Sequence, residues 1–98
     1  MTILFNNINA PAISSQYSSS GGPAIVVVRG DDFTGVTIDI QTASSSDPSD
    51  PIRWSVLTNG SFTAANTFNI TYLPPGLLLR AVATGVGASD NIFVEIIQ

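Results

Sequence analysis

Val36-Thr37-Ile38-Asp39-Ile40-Gln41 is the stretch that decides the fold, because its apolar and polar side chains alternate strictly. Successive side chains of a β-strand point to opposite faces, so this alternation predicts a strand with one buried and one solvated face. The alternation recurs in residues 52–56 and 68–72, and turn signals stand at Asn59-Gly60 and Pro74-Pro75-Gly76. No segment shows a sustained helical period. The sequence therefore predicts an all-β fold, a small antiparallel β-sandwich or jelly-roll-like barrel.

A serine- and glycine-rich stretch, residues 14–22, separates a short N-terminal piece from the rest of the chain. Such a composition is typical of a flexible joint. We interpret residues 1–22 as an N-terminal arm or first strand, and residues 23–98 as the β-sandwich domain. Three alternatives stay open for the arm: it belongs to the same domain, it reaches onto a neighbouring subunit, or it is disordered.

The composition argues against catalytic chemistry. The 98 residues include no His, Cys or Lys, and 10% are charged, against about 25% in a typical protein. Because the missing types carry most acid–base, nucleophilic and metal chemistry, we expect no enzyme, no metal site and no cofactor. The net charge is −4 and the three basic residues are all Arg, so the chain provides no basic face for nucleic acid. No apolar run reaches the roughly 20 residues of a membrane span, so we expect no membrane partner.

Three predicted strands are apolar on both faces, in residues 25–28, 77–82 and 92–97. An antiparallel sheet with one solvated face should not have this pattern, so something covers the second face. That cover is either the arm or a loop of the same chain, or a neighbouring subunit. A subunit contact would make the protein a homo-oligomer, since an exposed apolar patch is otherwise a liability. The expected interface residues are Ile3, Phe5, Leu78, Arg80, Val82, Phe93 and Ile97.

Short motifs in the chain have both a functional and a structural interpretation. Arg29-Gly30-Asp31 matches an integrin-type adhesion tripeptide, but matches of this length arise by chance, and we expect Arg29 to pair with Asp31 or Asp32. Asp47-Pro48-Ser49-Asp50-Pro51 carries two carboxylates that could bind a cation, although each Asp before Pro is also typical of a turn.

Trp54 is the single tryptophan of the chain. It shares a predicted strand face with Ile52 and Val56, so we expect it in the core. The alternative is an exposed ring that stacks on a sugar, which requires Trp54 on the solvated face.

Several stretches together resemble short bacteriophage virion proteins, small all-β proteins that decorate capsids or attach to tails. The resemblance covers roughly residues 23–98 and lies in strands and turns rather than in a catalytic signature. Its residues are Phe33-Thr34-Gly35-Val36-Thr37-Ile38-Asp39-Ile40-Gln41, Trp54, Ser61-Phe62-Thr63, Leu73-Pro74-Pro75-Gly76 and Leu79-Arg80-Ala81-Val82.

The resemblance implies a structural virion protein with no active-site residues. The expected function is that of a capsid decoration (cement) protein, which stabilises a bacteriophage shell by bridging capsid subunits. It implies a homotrimer on the capsid exterior, with the major capsid protein as partner. The alternative is a tail or head-fibre component, or a carbohydrate-binding module, that acts in host adsorption.

Overall fold

The protein is a sandwich of two antiparallel β-sheets. The computed structural model describes all 98 residues and contains no helix, which confirms the all-β prediction. The nine strands are β1 (Thr2–Ile8), β2 (Ala12–Ile13), β3 (Tyr17–Ser18), β4 (Gly22–Arg29), β5 (Thr37–Ala43), β6 (Ser55–Phe62), β7 (Asn66–Leu73), β8 (Leu78–Thr84) and β9 (Ile92–Ile97). The first sheet has the order β1-β9-β4-β7. The second has the order β2-β8-β5-β6, and β3 also pairs with β8.

The core lies between the inner faces of the two sheets. In β5 the predicted alternation is confirmed, because Ile38 and Ile40 are fully buried while Asp39 between them is half-exposed. Val26 and Val28 of β4 contribute to the same apolar cluster from the other sheet. Burying a side chain of this size contributes about 1.5–3 kcal/mol, so the alternating positions supply the main driving force for the fold.

Asn59-Gly60 does not form the predicted hairpin turn, because it lies within β6. Asp39 of β5 pairs with Ser61, whereas Gln41 pairs with Val56, so the residues between them bulge out of β6. Asn59 takes a φ of 61° there, and a Cβ on Gly60 would lie 2.8 Å from the carbonyl oxygen of Leu57. Asn-Gly supplies the positive φ that sequence reasoning expected, but it serves a bulge rather than a hairpin.

The predicted core position of Trp54 is also wrong. Trp54 precedes β6 and is half-exposed, and Val56 is 49% exposed opposite Gln41 on the outer side of the second sheet. The bulge is the physical reason, because its extra residues reset the alternation. The inward position of β6 is occupied instead by Phe62, which is 5% exposed.

The first 22 residues contribute strands to both sheets of their own chain. β1 pairs with β9 in the first sheet, and β2 and β3 pair with β8 in the second. The side chain of Gln98 holds the serine-rich stretch: its Oε1 accepts hydrogen bonds from Tyr17 Oη (2.8 Å), Ser19 Oγ (3.1 Å) and Ser20 N (2.9 Å). Its Nε2 donates to the carbonyl oxygen of Gly22 at 3.2 Å. The serine- and glycine-rich stretch, predicted as a flexible joint, is therefore held by hydrogen bonds to Gln98.

Phe5 lies in the core, not on the surface where an interface residue must lie. The pairing of β1 with β9 shifts register between Ile3, which pairs with Glu95, and Phe5, which pairs with Val94. Ile3 is consequently 49% exposed on the outer side, whereas Phe5 is 3% exposed and belongs to the apolar cluster. In a regular strand the two side chains would share a face, so the irregularity corrects the expectation for Phe5.

Candidate interaction surfaces

The outer side of the first sheet carries an apolar patch, which we call the A face. Its members lie on three neighbouring strands, about 5 Å apart, and are Ile3, Ile25, Val27, Phe93, Glu95 and Ile97. Ile3 is 49% exposed and Ile97 is 38% exposed, while Ile25 and Phe93 are half-buried. Ile25 pairs directly with Ile97, and Glu95 pairs with Ile3. The A face therefore presents isoleucine and phenylalanine where an antiparallel sheet normally presents polar residues.

The outer side of the second sheet, which we call the B face, has a different composition. Val82 of β8 pairs with Asp39 of β5, and Arg80 pairs with Gln41. Leu78, Arg80 and Val82 are all half-buried. The B face therefore mixes apolar side chains with an acid, an amide and a guanidinium group.

The expected interface residues do not form one contiguous surface. Ile3, Phe93 and Ile97 lie on the A face, whereas Leu78, Arg80 and Val82 lie on the B face, on the opposite side of the sandwich. Strands β8 and β9 are consecutive in sequence but belong to different sheets. A single partner surface cannot contact both sets at once.

Arg80 is held in place at the centre of the B face. Its Nε donates to Gln41 Oε1 at 2.8 Å, and its Cζ lies 4.3 Å from the centre of the Trp54 ring. Cation–π stacking of this kind stabilises by about 0.5–1 kcal/mol at exposed sites. Sequence reasoning selected Arg80 but missed Trp54 as its neighbour, because it placed Trp54 in the core.

A shallow pocket lies where β4 meets β9 at one end of the sandwich. Asn91 Nδ2 donates to Asp31 Oδ2 at 2.7 Å, and Asp32 Oδ1 accepts from the Thr34 backbone N–H at 2.9 Å. That bond lowers the pKa of Asp32. The expected ion pair between Arg29 and either acid is absent, and both carboxylates have these other partners. The residues that line the pocket are Asn7, Arg29, Gly30, Asp31, Asn91 and Phe93.

Gly30 of the adhesion-like tripeptide has a packing role. A Cβ at this position would lie 2.7 Å from Ile92 Cδ1 and 3.2 Å from the Asp90 carbonyl oxygen. Ile92 is fully buried, so its side chain has little room to move away. Close packing between β4 and β9 accounts for the glycine without an adhesion function.

Asp47 organises the loop between β5 and β6. Its Oδ1 accepts from the Ser49 backbone N–H at 2.9 Å, and its Oδ2 accepts from the Arg53 N–H at 3.2 Å. The bond from Ser49, with a smaller contribution from Arg53, lowers the pKa of Asp47 to about 2. The one salt bridge of the structure joins Arg53 Nη2 to Asp47 at 3.6 Å. The carboxylate thus has the role of a turn residue, and the structure contains no group of three His, Cys, Asp or Glu residues that could hold a metal ion.

β7 forms a free edge of the first sheet. It pairs with β4 in unbroken register from Asn66 to Ile70, and no strand lies on its other side. Phe68 in the middle of this strand is half-buried, and its ring centre lies 5.7 Å from that of Phe62 in the second sheet. This aromatic pair closes the sandwich on the side where β6 and β7 lie.

Comparisons with known proteins identify no relative of this chain. No family model, no curated protein and no solved structure matches it. The structure contains no helix with the length and apolarity needed to span a lipid bilayer.

Proposed function

We propose that this protein is a structural virion protein, a capsid decoration (cement) protein that stabilises a bacteriophage shell by bridging subunits of the major capsid protein. The resemblance in residues 23–98 suggests the kind of assembly. The single observation that carries the proposal is the A face, where Ile3 (49% exposed) and Ile97 (38% exposed) share the outer side of the first sheet with Phe93. We assign this surface to the shell.

The mechanism is burial of apolar area, with no bond made or broken. Docking the A face removes isoleucine and phenylalanine side chains from water, which is favourable by about 25 cal/mol per Å² of apolar area. Glu95 lies among them and carries the only charge of β9. A basic group of the shell protein opposite Glu95 would fix the orientation of docking. Because a shell offers many equivalent sites, modest affinity at each one adds up to substantial stabilisation of the particle.

Three exposed isoleucines, two on the A face and one away from it, provide the test. The Ile3→Ser/Ile97→Ser variant removes apolar area from the A face, and Ile13→Ser removes it from the edge of the second sheet, where Ile13 is 60% exposed. The wild-type protein and Ile13→Ser should bind shells that lack this protein and restore their resistance to heat and osmotic shock. The A-face variant should bind at least about tenfold more weakly, which corresponds to roughly 1.4 kcal/mol. Shells that are equally stable with and without the protein would exclude the cement function.

Host adsorption is the second candidate, and Trp54 supports it. The aromatic ring lies on the B face beside Gln41 and Arg80, whose amide and guanidinium groups can hydrogen-bond to hydroxyls. Trp54 is half-exposed and Arg80 covers one face of its ring, so a sugar would have to stack on the other face. A glycan array separates the two functions, because a cement protein should bind no glycan, while an adsorption module should lose its binding in Trp54→Ala.

A further inference from the structure

The edges of the two sheets differ in how they are protected against pairing with another strand. β1 contains two register shifts, β6 contains the bulge at Asn59, and β2 and β3 have two residues each. Bulges and very short strands are the devices that keep exposed edges from pairing with other chains. The β7 edge has one register shift against β4, between Ile70 and Leu73, and over residues 66–70 its pairing with β4 is continuous.

The sequence of β7 also lacks the other protective features. Asn66–Leu73 contains no charged residue and no proline, and Thr, Phe, Ile and Tyr favour extended backbone. All seven acidic residues of the chain lie elsewhere. Two copies, each with a net charge of −4, can therefore approach edge to edge here without bringing like charges into direct contact.

We propose that β7 pairs antiparallel with β7 of a second copy about a two-fold axis at Phe68. In this register Thr67 lies opposite Asn69 of the other copy, and Asn66 lies opposite Ile70. The two four-stranded sheets become one continuous sheet, and main-chain hydrogen bonds provide the affinity.

A second copy is the occupant that fits this edge, because the strand is complementary to itself. Thr67 and Asn69 are exposed on the outer side and can hydrogen-bond to each other across the axis. On the inner side Phe68 meets Phe68 of the other copy. Each of these rings already contacts Phe62 of its own chain at 5.7 Å, so dimerisation joins two aromatic pairs into a cluster of four rings. Such contacts contribute beyond simple area burial.

The inference goes beyond the cement function and uses a different surface from the A face. It gives an isologous dimer with closed symmetry, whereas the resemblance to virion proteins implies a trimer. Sedimentation equilibrium distinguishes the two, since one chain has a mass of 10.2 kDa.

The test adds positive charge to the proposed edge. In Thr67→Lys/Asn69→Lys the new side chains lie directly opposite one another in the dimer, and both positions are exposed, so folding should not suffer. Thr58→Lys/Ser61→Lys adds the same charge at exposed positions of β6 and is the matched control. Wild type and control should sediment at twice the monomer mass at high concentration. The β7 variant should dissociate at a concentration at least about tenfold higher.

Hydrogen exchange provides a second readout. The amides of residues 66–70 that point away from β4 should gain protection as wild-type protein is concentrated from about 1 µM to about 1 mM. A wild-type chain that stays monomeric over this range, one that forms trimers, or a β7 variant that dimerises as well as the control overturns the inference. Ile3→Ser/Ile97→Ser should remain dimeric, so failure of shell binding and failure of edge pairing give different results.

Discussion

Phe5→Ala tests whether the N-terminal piece belongs to the core of its own chain. Phe5 is 3% exposed, and truncation of a buried phenylalanine costs about 3–5 kcal/mol because it leaves a cavity. A domain of 98 residues is stable by roughly 5–15 kcal/mol, so the loss is a large part of the total. At about 4–8 °C per kcal/mol, the melting temperature should fall by at least about 12 °C. Urea unfolding followed by Trp54 fluorescence measures the loss, with an unchanged m-value.

Ile3→Ala is the matched control, two residues away in the same strand. Ile3 is 49% exposed, so its truncation should cost less than about 1 kcal/mol in the isolated protein. The loss of stability in each variant should not change when the protein concentration changes about a hundredfold, because Phe5 packs within its own chain. The reasoning is refuted if Phe5→Ala costs no more than Ile3→Ala. A loss that changes with concentration would instead place Phe5 in another copy.

Three further predictions concern turns and the B face. Gly85→Ala should lower the free energy of unfolding by at least about 2 kcal/mol more than Gly35→Ala does, as measured by thermal unfolding. Both residues have positive φ (73° and 74°), but only a Cβ on Gly85 would collide with backbone, at the Gly35 carbonyl. Equal losses of stability would contradict this packing. The hydrogen bonds to Asp47 lower its pKa to about 2 in the folded protein, from 3.8 in the unfolded chain. The contribution of this carboxylate to folding stability should therefore be complete above about pH 3.8 and lost as pH falls through about 2. An NMR titration midpoint of Asp47 near 3.8 would exclude its hydrogen bonds. Arg80→Ala should increase acrylamide quenching of Trp54 fluorescence, since the guanidinium covers the ring at 4.3 Å, and unchanged quenching would place the ring elsewhere.

Much of the fold could be predicted because the clearest sequence pattern, the alternation of apolar and polar residues, reflects the main stabilising force, apolar burial. The alternation around Ile38 and Ile40 reflects burial on one face, and the structure buries both residues fully. A strand of this pattern cannot slip by one residue without exposing its apolar set, so its orientation is fixed. The β-sandwich follows from several such strands.

The errors occurred where backbone irregularities interrupt the alternation. The bulge at Asn59 moved Trp54 to the outer side, and the register shift in β1 turned Phe5 inward while Ile3 stayed outside. A bulge depends on the partner strand as well as on its own residues, so periodicity within one strand cannot reveal it.

The candidate surfaces were predicted only in part for a related reason. Apolar residues on both sides of a strand can be recognised from sequence, and this pattern predicts Ile97 and Val82 as surface residues. Which strands are neighbours is a property of the topology, and β8 and β9 belong to different sheets. The sequence therefore identified the residues of two surfaces without separating them. Gln41 and Trp54 as neighbours of Arg80 were missed because that contact crosses the B face.

The backbone irregularities behind the wrong predictions also explain why the β7 edge is better able than the other edges to pair with a further strand. The register shifts of β1 and the bulge of β6 interrupt the two edges whose residues were misplaced, and each interruption makes that edge a poor template for another strand. β7 is regular from Asn66 to Ile70. A regular edge without charge or proline retains its capacity to pair, and a chain with few charged side chains has little else to prevent such pairing. The regularity of residues 66–70 is thus the feature on which the proposed pairing with a second copy rests.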